Sequence, residues 1–170
     1  MTARWRYALP LMLLAVVSAG HLPARASAIE MADRVIVHKA ERKLLLMRGE
    51  RVLRMFGVAL GLSPNGPKQR EGDFRTPEGT YLLSGRNANS DFFLAIQVNY
   101  PGPEDLHRAA AEGVDPGGLI MIHGQPNRPS RSLDYYQTRD WTNGCIAVSN
   151  ADMVDIWLMT PDNTPIQILP

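Results

Sequence analysis

Apolar residues recur from Arg34 onward in short runs with the spacing of strands. Val35-Ile36-Val37, Lys43 to Met47 and Val52 to Leu60 read as extended segments, with Arg48-Gly49-Glu50 as a turn, predicting a hairpin or meander. Ser63 to Thr80 is rich in Pro, Gly and charge and has no helical period, which predicts a long surface loop. Tyr81-Leu82-Leu83 and the partly alternating Phe92 to Val98 predict two further strands.

The second half adds helices. Pro103-Glu104-Asp105 has the proline and acids of a helix start, and Gly113 marks its end. Leu119-Ile120-Met121-Ile122, bounded by Gly117-Gly118 and His123-Gly124, predicts a buried strand that opens into a loop, with His123 at its end. Ser149 or Asn150 caps a second helix whose apolar face is Met153, Ile156, Trp157 and Val154, closed by Pro161. Thr164 to Leu169 forms a last strand. Small antiparallel sheets with a few helices packed on them make an α+β or mainly-β domain.

Length allows one domain with a sizeable core. Arg4 and Arg6, an apolar run from Tyr7 to Val17, and small residues ending in Ala26-Ser27-Ala28 have the three parts of a secretory signal peptide. The run is shorter than the roughly 20 residues that span a bilayer, and Pro10 interrupts it, so cleavage after Ala28 is expected rather than a stable membrane anchor. The organisation is then a leader at 1–28 and one domain at 29–170, in an exported, periplasmic protein. Removing the leader takes Arg4, Arg6 and Arg25 and no acid, leaving 15 bases against 17 acids, a balance that gives no reason to expect nucleic-acid binding.

An exported chain with one cysteine has no disulfide within itself. Cys145 is therefore either an inert buried residue or a reactive one. Two segments favour reactivity: Ile120-Met121-Ile122-His123-Gly124 and Trp141-Thr142-Asn143-Gly144-Cys145-Ile146-Ala147-Val148, separated by a polar, proline-containing loop. A cysteine nucleophile needs an adjacent base, and His123 is the candidate, while His38 and His107 read as solvated. Glycine before Cys145 frees backbone N–H groups of Gly144 and Cys145 to face a carbonyl oxygen. One cysteine, no His-Glu-x-x-His and no close histidine pair give no metal site, and no cofactor is expected.

Together His123-Gly124 and Thr142-Asn143-Gly144-Cys145-Ile146 resemble the signature of the L,D-transpeptidase catalytic domain (YkuD type), and Thr76-Pro77-Glu78-Gly79-Thr80-Tyr81 resembles the family's Thr-Pro-x-Gly-aromatic segment. The similarity runs from about Asp33 to the C-terminus. It implies a β-sandwich with a few short helices. It further implies that Cys145 attacks a peptidoglycan stem peptide, expels the terminal D-residue and forms a thioester, with His123 as base held by a backbone carbonyl. Asn143, Gly144 and Cys145 would supply the oxyanion donors, supported by Thr142 and Gly124. The acceptor is an amine in crosslinking or in attachment of a wall protein, and water in the hydrolytic alternative, an L,D-carboxypeptidase or amidase. A wall-binding module without catalysis is the remaining alternative.

The chain departs from the commonest pattern where His often precedes the Gly-Cys pair and Arg often follows two residues after it; here Asn143 and Ala147 stand. Lys68, Arg70, Arg75, Arg128, Arg131 and Arg139 are the loop cations that could replace that guanidinium, with a solvated surface as the role expected of most. Tyr135, Trp141 and Arg139 are the candidate substrate-binding residues, and Tyr135, Tyr136 and Trp141 either line a donor groove or pack a lid.

Overall fold

The structure is a computed structural model that describes residues 28–170, so the leader expected at 1–28 lies outside the described residues except for its last position. Eight strands and three helices follow in the order β1 (Arg34–His38), β2 (Lys43–Arg48), β3 (Arg51–Gly57), β4 (Gly79–Ser90), β5 (Phe93–Val98), α1 (Pro103–Glu112), β6 (Met121–His123), α2 (Leu133–Thr138), β7 (Ile146–Ala147), α3 (Asn150–Met159) and β8 (Pro165–Leu169). The fold is mainly β with a few short helices. The ladder runs β3-β2-β1-β8-β4-β5-β6-β7.

Strand β4 joins two half-sheets. Its first residues pair with β8, Tyr81 opposite Ile166, and its later ones with β5, Arg86 opposite Ile96. Val35, Val37, Leu44, Leu46, Ile166 and Ile168 from one half and Ile96, Val98, Ile122 and Ile146 from the other enter a single core. Burying side chains of this size stabilises by about 1.5–3 kcal/mol each, before the entropy of ordering them is counted.

Several expectations need correction. The sheets are not purely antiparallel, because β1 runs parallel to β8 and β6 parallel to β7. The third strand ends at Gly57 rather than Leu60, and Ala59 and Gly61 continue only as single bridges to Ala147 and Thr142. β4 is twelve residues long, although Tyr81 to Leu83 alone read as a strand. Its extension Ser84 to Ser90 is polar, and register shifts along its pairing with β5 break the alternation that would have marked it. The stretch expected to be a loop between Gln125 and Trp141 contains α2, capped by the Ser132 hydroxyl accepting the Tyr135 N–H at 3.3 Å.

Helices α1 and α3 fall where their caps placed them. Asp105 accepts the Gly102 N–H at 3.0 Å, and Gly113 closes α1 at φ 67°. Ser149 accepts from Asp152 N–H at 3.1 Å, and Met153 and Ile156 face the core, with α3 packed on β5. Val154 does not belong to that face: it is exposed, and Met159 is buried instead.

Candidate active site

The parallel pairing of β6 and β7 brings the two catalytic-type side chains together. Ile122 pairs with Ile146 and His123 with Ala147, so Cys145 falls opposite Met121. Alternate residues share a face of a sheet, which puts His123 and Cys145 on the same side of adjacent strands. Both line a cleft of about 320 Å³. Phe92, Trp141 and Asn143 form part of its wall, and no charged side chain lines it.

His123 is 4 % exposed, and its Nδ1 lies 2.7 Å from the Gly124 carbonyl oxygen. A carbonyl can only accept, so Nδ1 carries the proton and Nε2 is left as an acceptor. Phe92 tilts against the imidazole at 4.7 Å between centroids, and Trp141 meets it edge-on at 5.6 Å. Trp141 is itself held by Nε1–H donating to the Tyr136 carbonyl at 3.1 Å. Burial pushes the imidazole below its ordinary value of 6.5, and the bond to Gly124 only partly opposes this. Burial likewise pushes the Cys145 thiol above its usual 9.0, against the opposing pull of the Met121 N–H and the Lys68 charge. Both shifts favour the uncharged forms, thiol and neutral imidazole. The thiol donates to the Leu119 carbonyl at 3.6 Å.

Thr142 organises the turn that leads into Cys145. Its hydroxyl donates to the Cys145 carbonyl at 2.7 Å and accepts the Gly144 N–H at 3.1 Å. That second bond removes Gly144 from the expected oxyanion donors. The N–H groups of Asn143 and Cys145 have no hydrogen-bond partner among the described residues, and they remain available. Glycine is required at 144 because φ is 125° and a Cβ would sit 2.6 Å from the Arg75 carbonyl oxygen. At Gly124 a Cβ would lie 2.5 Å from Asn150 Oδ1, which accepts the Gln125 N–H.

Two layers brace this turn from below. Asp140 takes the Arg42 guanidinium through both oxygens and accepts the Leu60 N–H at 2.9 Å, and the Leu60 carbonyl accepts from Trp141 and Thr142. In the other layer, buried Lys39 donates to the carbonyls of Gly66 and Thr76 and to Glu78 at 2.7, 3.0 and 2.8 Å. Thr76 Oγ1 accepts the Gly61 N–H at 3.1 Å. The Thr76-Pro77-Glu78 segment is thus the anchor of the loop beside the Cys145 turn.

A family model described as the L,D-transpeptidase catalytic domain (YkuD) matches residues 32–168. The chain belongs to the L,D-transpeptidase family. Among solved structures it is similar to the helical cell shape determining protein Pgp2 from Campylobacter jejuni, at 28 % identity and a TM-score of 0.61, over 79 % of this chain and 46 % of that one. An L,D-transpeptidase from Xylanimonas cellulosilytica shares the fold at 18 % identity and a TM-score of 0.51, over 82 % of this chain and 61 % of that one. A curated relative, the putative L,D-transpeptidase YafK of Escherichia coli K12, is 39 % identical over 61 residues, 35 % of this chain and 23 % of YafK. The chain thus spans less than two thirds of the length of these relatives.

Not every residue singled out in this L,D-transpeptidase domain reaches the cleft. His123, Thr142, Asn143, Cys145 and Trp141 line it, with Gly124 and Gly144 directly behind. Tyr135 and Arg139 do not. Tyr135 is exposed on α2 against Tyr136, and Arg139 lines a separate depression with Arg42 and Asp140. Lys68 is not solvated: it is 3 % exposed and bonded to Asp73 at 2.8 Å. His107 is exposed, whereas His38 is half-buried in β1. Phe92, Ser90, Met121 and Leu119 complete the lining, and only their places near strand ends could have signalled it. No described helix is long and apolar enough to cross a membrane.

Proposed function

We propose that this chain catalyses acyl transfer on peptidoglycan stem peptides through a thioester on Cys145. The observation that carries the reading is one cleft lined by the only cysteine of the chain and by a histidine whose tautomer is fixed with Nε2 as acceptor. His123 Nε2 takes the thiol proton as Sγ attacks the carbonyl after the L-centre of the diamino acid. The free N–H groups of Asn143 and Cys145 face the developing oxyanion. Collapse breaks the C–N bond, and His123 returns the proton to the departing D-residue amine. An acceptor amine, deprotonated by His123, then attacks the thioester and restores the thiol. Export to the periplasm is part of this proposal, since the leader precedes a domain whose substrate is the wall.

Intact-protein mass spectrometry with tetrapeptide-stem muropeptides tests it. The wild type is expected to gain an acyl adduct with release of the terminal D-residue, and Cys145→Ala none. Crosslinked products identify an amine acceptor, including a wall-attached protein, and tripeptide products identify water. A folded wild type that binds sacculi but is never acylated would instead be a wall-binding module.

A further inference from the structure

Leu119 departs from the apolar run that carries it. Ile120 and Ile122 are buried, but Leu119 is 71 % exposed, more than any other large apolar side chain among the described residues. Its φ is 54°, in the left-handed region that an L side chain enters only at a steric cost. Gly117 precedes it at φ 73°, so this is a stretch where glycine is the residue that backbone geometry favours. Leucine at 119 is thus disfavoured twice, by the backbone and by apolar surface left in water.

The position of this residue gives the reason to retain it. Its carbonyl oxygen accepts the Cys145 thiol, and Leu119 is one of the residues that line the cleft. Strained positions that present large apolar side chains beside a nucleophile are expected where those side chains touch a ligand. Phe92, Met121 and Trp141 line the same cleft, so beside its polar residues it offers apolar surface on which an aliphatic chain can pack.

Building on Cys145 as the nucleophile, we propose that Leu119 is a specificity-determining residue that packs on an aliphatic chain of the substrate next to the attacked carbonyl. A series of N-alkyl chloroacetamides, from methyl to hexyl, tests the contact without relying on any wall activity. Cys145 Sγ displaces chloride, an S–C bond replaces the C–Cl bond, and the thiol proton leaves to His123 or buffer. The chain has one cysteine, so the adduct mass reports this thiol.

With the full chain, the hexyl-to-methyl rate ratio is expected to exceed ten, as about 0.8 kcal/mol per buried methylene gives several-fold per carbon until the contact is filled. In Leu119→Gly, which relieves the strained backbone, and in Leu119→Asn, which tolerates it, the ratio falls toward one with no drop in Tm. A ratio near one in the wild type, or a ratio unchanged in both variants, overturns the proposal. Tetrapeptide-stem muropeptides run in parallel separate the two readings. A wild type that shows the alkyl ratio but is never acylated by stem peptide keeps the Leu119 contact and loses the proposed function.

Discussion

The turn that carries Cys145 is flanked by two segments of opposite character. On one side, residues 63–78 are held by buried ion pairs: Lys39 with Glu78 and Lys68 with Asp73, the two lysines 2 % and 3 % exposed. On the other side, residues 125–141 end on the Arg42–Asp140 pair, but the part that faces His123 is an aromatic cluster, Tyr136 edge-on to Trp141 at 5.1 Å and Trp141 on His123 at 5.6 Å, while Arg128, Arg131, Leu133 and Tyr135 face solvent. Buried charges break at a high cost and fix geometry, whereas aromatic faces tolerate a ligand sliding across them. The first segment is a brace for Gly144 and Cys145, and the second is a wall for what enters the cleft.

The largest effect is expected where the brace touches the turn. Gly144→Ala places a methyl group 2.6 Å from the Arg75 carbonyl oxygen at a φ of 125°, so either the brace or the nucleophile must move. Displacing the attacking atom by an ångström costs about a hundredfold in rate, so acylation measured by mass spectrometry should fall at least that far. Near-wild-type acylation by this variant would show that the brace does not set the nucleophile.

Next comes the ion pair itself. Burial alone would raise the Asp73 carboxyl, but the Lys68 ammonium and the N–H groups of Gln69, Arg75 and Arg70 outweigh it and bring it to about 2. A folded value below the unfolded 3.8 gives stability that is present above pH 3.8 and lost as pH falls through 2. That contribution is about 2 kcal/mol. Asp73→Asn should lower the unfolding free energy by about 3 kcal/mol at neutral pH, because it also leaves buried Lys68 without a counter-charge. Urea melts at pH 7 and pH 2.5 check the sign: the gap between wild type and variant must narrow in acid. A gap that widens would assign the shift to another carboxylate.

How far this arrangement was legible from residues alone depended on range. His123-Gly124 and Thr142-Asn143-Gly144-Cys145 carry local signatures, and the caps at Ser149, Pro103 and Gly113 place two helices, because each rests on neighbours within a turn. The brace does not. Lys39 reaches Glu78 across 39 positions and Arg42 reaches Asp140 across 98, so a run of loop cations read as solvent-facing hid a buried one in Lys68. Leu119 escapes its own pattern for a related reason: an apolar run gives no sign that one member turns outward, and such a break in pattern is expected at a site of function.

Smaller effects should mark the wall. Trp141→Phe keeps a ring against His123 and loses the Nε1–H bond to Tyr136, worth about 1 kcal/mol. Tm should drop by a few degrees, and acylation should fall mainly through KM, by roughly tenfold. A loss confined to kcat would move Trp141 from the wall to the orientation of the imidazole.

The pH dependence of acylation reports on both residues of the pair, since burial shifts each of them toward its uncharged form. In the proposed mechanism His123 acts as base in its neutral form, and burial lowers it from 6.5, so the acid limb of the acylation profile should lie below pH 6.5. Trp141→Ala opens the imidazole to water and should move that limb up toward 6.5. An acid limb already above 6.5 in the wild type would mean that a thiolate–imidazolium pair, rather than neutral groups, is the resting state.

The smallest effect is expected at Arg139 and Tyr135, and it limits how far the wall extends. Arg139 lies in the depression beside Arg42 and Asp140, and Tyr135 packs on Tyr136 from outside while carrying the Arg131 guanidinium at 5.9 Å. Exposed substitutions away from caps and cores change stability by about 0.5 kcal/mol or less. Arg139→Ala and Tyr135→Ala should therefore acylate within about twofold of wild type at saturating and limiting muropeptide alike. A tenfold loss at limiting substrate alone, in Arg139→Ala, would mean that the stem-peptide carboxylate reaches beyond the cleft onto α2. The wall would then include the surface cation that stands nearest to the missing guanidinium in role, and the contrast between a charged brace and an uncharged wall would fail at that point.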